Sequence, residues 1–200
     1  DLSLGWADPR VYGGRMLDWA LPPLGEPLNI IISGLSDPFV LTEAGFRHYT
    51  KSVGYSEECL GLHYGMIHEA NLGDGNGHVQ EQYLARQQYF PMLGTCWESF
   101  AGGHHFRAWR QNGTRANSGA WFVGASQEEH SRKNHMISED GYNRGRDWFV
   151  SRTVAGTHFK GIWWEASVEW KKGLIPPGRK GVNHGIAQDG RVAILTIQRV

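Results

Sequence analysis

The segment His104-His105-Phe106-Arg107-Ala108-Trp109-Arg110 alternates with a period of two, and Ala120 to Ser126 (AWFVGAS) follows it after Asn112-Gly113 and Asn117-Ser118-Gly119. Two strand-like runs separated by turn-forming residues read as an antiparallel hairpin. Alternation puts Phe106 and Ala108 on one face together with His104. His105, Arg107 and Trp109 fall on the other. The hairpin therefore sets a sheet as the framework and gives it one apolar and one polar face.

The remaining elements arrange themselves around it. Leu28 to Ser33 (LNIIIS) reads as a buried strand that ends at Gly34. Thr42 to Val53 has Phe46, Tyr49 and Val53 at helical spacing and Gly54 as a stop. Residues 55–103 are punctuated by glycine and read as a long insertion. It carries one helix over Val79–Tyr89, ended by Pro91, and a short one over Thr95–Phe100. A helix over Asp140–Ala155 follows, with Glu139 and Asp140 as cap and first-turn acids. Strands over Ile162–Trp170 and Arg191–Arg199 complete the chain. Trp163 and Trp164 must face opposite sides of their strand.

The order β-α-insertion-β-β-α-β-β gives an α+β domain with a mixed or antiparallel sheet and helices on one face. The βαββαβ order inside it is that of a split βαβ, ferredoxin-like core with a long insertion at 55–103. Residues 1–27, rich in Pro and Gly, form an irregular N-terminal arm that packs through Trp6, Leu17, Trp19 and Leu24. Residues 28–200 form a single domain.

Twenty Lys+Arg balance twenty Asp+Glu, so the chain has no basic excess for nucleic acid. No apolar run is long enough to span a membrane. Nucleophile-elbow, P-loop, dinucleotide-binding, HExxH and CxxC patterns are all absent, which disfavours the enzymes and zinc fingers built on them. Asp1 is not a methionine, so the chain reads as a processed form whose targeting segment has been removed. Cys59 and Cys96 permit one disulfide, or stay as two buried thiols. Asn112-Gly113-Thr114 is a glycosylation sequon. These signals favour a secreted or extracytoplasmic glycoprotein over a cytoplasmic one.

Several groups of residues can carry chemistry. His105 and Arg107 on one strand face suit an anion, since Arg supplies a fork of donors and His a proton. His104, His105, Arg107, His135 and Asp140 are the candidate catalytic residues. Trp109, Arg110 and Arg146 are the candidate substrate contacts, with Arg146-Asp147 readable also as a structural ion pair. His63, His68 and Asp74 lie in a glycine-rich polar stretch and are the candidate ligands of a divalent metal, although their spacing fits no standard site. A polar turn is the simpler reading of that stretch.

The run His104-His105-Phe106-Arg107-Ala108-Trp109, then Trp121-Phe122-Val123-Gly124-Ala125-Ser126, His135 and Arg146-Asp147-Trp148-Phe149, resembles the LssY-type C-terminal domain. The likeness covers about residues 28–157. That domain is often joined to a membrane lipid-phosphatase domain in bacteria, so the resemblance implies a phosphate or lipid-headgroup ligand by association. Asn134-His135 and Glu139-Asp140 stand where that pattern has a His pair and several acids. The stretch from Cys59 to Cys96 is more similar to uncharacterised fungal proteins of similar layout.

Two functional expectations follow. One is a hydrolase acting on a phosphorylated or other anionic small molecule through a His/Arg site, with or without a metal. The other is a non-catalytic module that binds a glycan or lipid headgroup on exposed tryptophans. Convergence of His104 or His105, Arg107 and His135 in one cleft separates them.

Overall fold

A computed structural model describes residues 4–61, 65–89, 95–133 and 136–200. The domain is α+β. Eight strands make one mixed sheet in the order β2-β5-β6-β7-β1-β10-β9-β8. They are β1 (Ile30–Ile32), β2 (Tyr55–Ser56), β5 (Tyr83–Gln87), β6 (Gly103–Arg110), β7 (Trp121–Glu128), β8 (Thr157–Phe159), β9 (Ile162–Lys171) and β10 (Val192–Arg199). A separate hairpin pairs β3 (Glu69–Asn71) with β4 (His78–Gln80).

Helices α1 (Glu43–Val53) and α3 (Gly141–Val154) cover one face. Thr42 caps α1 by accepting from Gly45 N at 3.0 Å, and Gly54 ends it in the left-handed region. Its buried stripe of Phe46, Tyr49 and Val53 meets Phe106, Trp121 and Phe149, with Phe46 stacked on Trp121 at 4.3 Å. Each such side chain contributes about 1.5–3 kcal/mol by burial. Trp164 belongs to this core at 1 % exposure, whereas its neighbour Trp163 is 61 % exposed and lies against His158. Short helix α2 (Cys96–Ala101) sits apart, beside the turns at 59–61 and 131–133. Cys59 and Cys96 are disulfide-bonded and tie the start of the insertion to it.

The opposite face is covered by irregular chain. Trp6, Met16, Leu72, Leu174 and Ile175 pack on Ile31, Trp109, Phe122 and Ile194. Among the described residues no helix is long and apolar enough to cross a membrane, and the disulfide is compatible with an extracellular location.

Three expectations are corrected. The insertion has no helix over Val79–Tyr89: that stretch forms β4 and β5, because Tyr83 and Ala85 bury on the helix side while Arg86 reaches the other face. Asp140 is not a side-chain cap of α3; it has a left-handed backbone, and its carboxylate accepts from Asn143 Nδ2. The sheet also departs from a ferredoxin-like core. The run β6-β7-β1 keeps that order and its antiparallel alternation, but β10 runs parallel to β1 and occupies the fourth place. β10 begins with four consecutive buried residues, Val192 to Leu195, and suits an interior position. β9 alternates half-buried with exposed residues and takes the place outside it.

Candidate functional site

The second face of the sheet changes character along β6 and β7. At the Trp109–Phe122 end it is apolar. At the other end Arg86, His105, Arg107, Ser126 and Glu128 project from three neighbouring strands, and all five are buried or nearly so. The alternation expected for β6 therefore holds, with His105 and Arg107 on one side and Phe106 and Ala108 on the other.

Loops close over this polar end and bring more charge. The arm folds back on itself through 17–27. Leu17 bridges to Pro27, Leu21 to Leu24, and Asp18 N donates to Glu26 O at 2.9 Å. Glu26 N donates in return to Asp18 Oδ1 at 2.7 Å. The turn at Pro22-Pro23 thus sets two acids side by side. Arg15 clamps it by donating to the carbonyls of Leu17, Asp18 and Pro23, with its guanidinium over the Trp19 ring. A bridge from Trp19 to Glu69 lays the start of β3 alongside, so His68 Nδ1 lies 2.8 Å from Asp18 Oδ2.

Asp18, Glu26 and His68 are all buried and offer ligand atoms that lie within 4.8 Å of one another. His68 N donates to Glu81 Oε2 at 3.0 Å, and Arg107 Nη1 reaches both Glu81 oxygens at 2.6 Å. Arg86 contacts Glu58, Glu98 and Glu128. His105 lies between, with Ser126 Oγ at 3.2 Å and Glu128 Oε1 at 3.4 Å. Burial pushes the His105 imidazole down to about 3, against the pull of Glu128, so it is neutral at ordinary pH. Burial and the adjacent Asp18 push the Glu26 carboxyl up to about 7. Arg107 Nε is buried with no acceptor among the described residues.

Two open depressions reach this layer. One, of about 380 Å³, is lined by Gln80, Glu81 and Ile67 among others. The other, of about 470 Å³, is lined by Met136, Glu139, Asp140, Arg179, His184 and Ile186. His184 connects it to the interior, its Nε2 standing 3.9 Å from Glu26 Oε1.

Of the residues singled out from sequence, His105, Arg107 and His68 meet in this layer. His104 does not. It points to the helix face, stacks on Trp148 at 4.5 Å, and is held by burial and then by Arg144 down to about 4. Trp109 is a core residue whose indole N–H is donated to Val79 O. Arg146 is buried beneath Asp189 and Asp147 and donates to Arg191 O. Arg110 N–H is donated to Gln82, away from His105. Asp140 lines the larger depression. Asp74 holds a loop together by accepting from Asn76 N and Asn112 N, and is not in the His68 group. Asn112 is exposed. His63 and His135 lie outside the described residues.

Asp18 and Glu26 were missed from sequence, as was His184. The available signal was a pair of acids flanking Leu21-Pro22-Pro23-Leu24-Gly25 in the arm, a turn that closes the eight-residue spacing. Compared with known proteins, the chain matches no family model, no curated protein and no solved structure.

Proposed function

We propose that the protein is a hydrolase acting on a phosphorylated or other anionic small molecule, and that its centre is the buried layer of Asp18, Glu26, His68 and Arg107. One observation carries this reading: an open depression ends on His184, and behind His184 stands the buried Glu26 carboxylate, which accepts no hydrogen bond among the described residues. Arg179 lines the mouth and has no ion pair among the described residues, so it is the residue for the anionic end of a substrate. Glu139 and Asp140 line the same depression, which favours a ligand that carries hydroxyl or amine donors beside its anionic group. Arg107 Nε supplies one more buried donor for a developing oxyanion.

Within this arrangement the carboxylates of Asp18 and Glu26 order the attacking water. Its hydroxyl joins the phosphorus or acyl carbon, and its proton leaves with the departing oxygen.

The test is turnover of a panel of phosphomonoesters, phosphodiesters and carboxylate esters by the purified chain, with Zn²⁺ or Mn²⁺ supplied. Arg179→Gln should raise KM about 10-fold or more with little change in kcat. Glu26→Gln should abolish turnover. Silence across the panel, or full activity in Glu26→Gln, overturns the reading. Retention on glycan arrays or lipid vesicles without turnover, lost on replacing exposed Trp97 or Trp163, transfers the case to the binding-module alternative.

A further inference from the structure

We propose that Asp18, Glu26 and His68 form a binding site for one first-row divalent cation of the Zn²⁺ or Mn²⁺ class. The three residues come from two separate segments, the arm turn and the chain entering β3, and their ligand atoms lie within 4.8 Å of one another. Atoms bound to one such ion at about 2.1 Å are roughly 3.4–4.2 Å apart. His68 Nδ1 and Asp18 Oδ2 stand closer than that, at 2.8 Å, so the ion takes the place of this contact, and drawing in the outermost atom needs a movement of about an ångström.

Two features beyond the grouping point to a cation. Glu26 is 6 % exposed, and its carboxylate accepts no hydrogen bond among the described residues; His184 Nε2, at 3.9 Å, is beyond bonding distance. A carboxylate more than nine-tenths buried with no hydrogen-bond donor is costly, and a metal is one of the few things that completes it. The second is the repulsion of two acids held side by side: Glu26 N binds one oxygen of Asp18, Arg107 is taken by Glu81, and a divalent ion between the Asp18 and Glu26 carboxylates offsets their repulsion.

The donor set selects the ion. One imidazole and two carboxylates suit Zn²⁺, Mn²⁺ or Fe²⁺, whereas Ca²⁺ wants six or more oxygens and Mg²⁺ keeps its waters. Three protein ligands leave coordination positions open, the pattern of a working site and not of a structural one. The Asp18 carboxylate is already oriented by Glu26 N on its other oxygen, so the site is partly set before any ion arrives.

The inference reaches beyond the hydrolase reading and does not depend on it. The test uses the tag-free chain, stripped with a chelator and dialysed against Zn²⁺ or Mn²⁺. The wild type should retain about one ion per chain and melt at a higher temperature when loaded. Glu26→Gln and His68→Gln should each weaken binding about 100-fold or more, while Asp140→Asn should not. A wild type that holds no ion, or variants that bind as tightly as it does, overturns the proposal. Where one variant fails to fold, the other decides. Co²⁺ loaded into the wild type gives a further readout: absorption bands of a mixed nitrogen and oxygen site, displaced by Zn²⁺, support the assignment, and a spectrum unchanged from free Co²⁺ overturns it. Ion binding without ester turnover leaves the cation site standing and removes the hydrolase reading. Turnover in a chain that binds no ion does the reverse.

Discussion

Asn29 and Ala125 pair through a side chain. Asn29 Nδ2 donates to Ala125 O at 2.9 Å, and Ala125 N donates to Asn29 Oδ1 at 3.0 Å. The amide thus extends the β1–β7 ladder past Ile30, the first residue of β1. Its second N–H goes to Tyr142 O in the first turn of α3, at 3.0 Å. One buried side chain therefore fastens β7 to α3 near Ser126, at the polar end of the second face.

Replacing that amide should be costly, because the buried N–H and C=O of Ala125 would lose their partner and Tyr142 O would lose one of its donors. Asn29→Ala is expected to lose about 2–4 kcal/mol of stability. Chemical denaturation checks it. A loss below about 0.5 kcal/mol would mean that water takes over all three bonds.

The Cys59–Cys96 bridge spans 37 residues of sequence. On the chain-entropy account, a loop of that length is worth about 3–4 kcal/mol. The double Cys→Ser variant should melt on the order of 10 °C lower. The wild type under reductant should show the same fall.

His104 gives the fold a pH dependence. Burial and Arg144 hold it at about 4, below its ordinary 6.5. Between those values the unfolded chain binds the proton and the folded chain does not, so stability falls as pH drops from about 6.5 to 4. His104→Phe keeps a ring on Trp148 and takes this titration away. Its melting temperature should decline less steeply than the wild type's over that window. An unchanged slope would show that His104 is not held neutral.

Arg146 is a structural cation. It is 1 % exposed, and Nη1 and Nη2 contact the two oxygens of Asp189 at 2.6 and 2.9 Å. Because Asp189 and Asp147 reach solvent, Arg146→Met should cost about 2–3 kcal/mol, less than a fully buried pair would. Ion content per folded molecule should stay that of the wild type. A selective loss of ion binding would place Arg146 at the site after all.

What the sequence determined by itself was local. Period-two alternation placed His105 and Arg107 together and apart from Phe106, because side chains on a strand can only alternate. The stripe of Phe46, Tyr49 and Val53, with Gly54 behind it, gave α1. Helix propensity misled at 79–89, where pairing with β6 outweighed it. The position of β10 beside β1 was likewise not readable, since strand neighbours are chosen by which segment can be buried on both faces. The site shows the same division. Asp18 and Glu26 flank one turn and His68 stands out in a polar stretch, but His68 and His184 lie far from that turn in the chain, and nothing in the sequence ties the four together. Only the folding of the arm and the loops over the second face buries Asp18, Glu26 and His68 together, with His184 exposed at their edge, and that burial turns three ordinary polar residues into a candidate cation site.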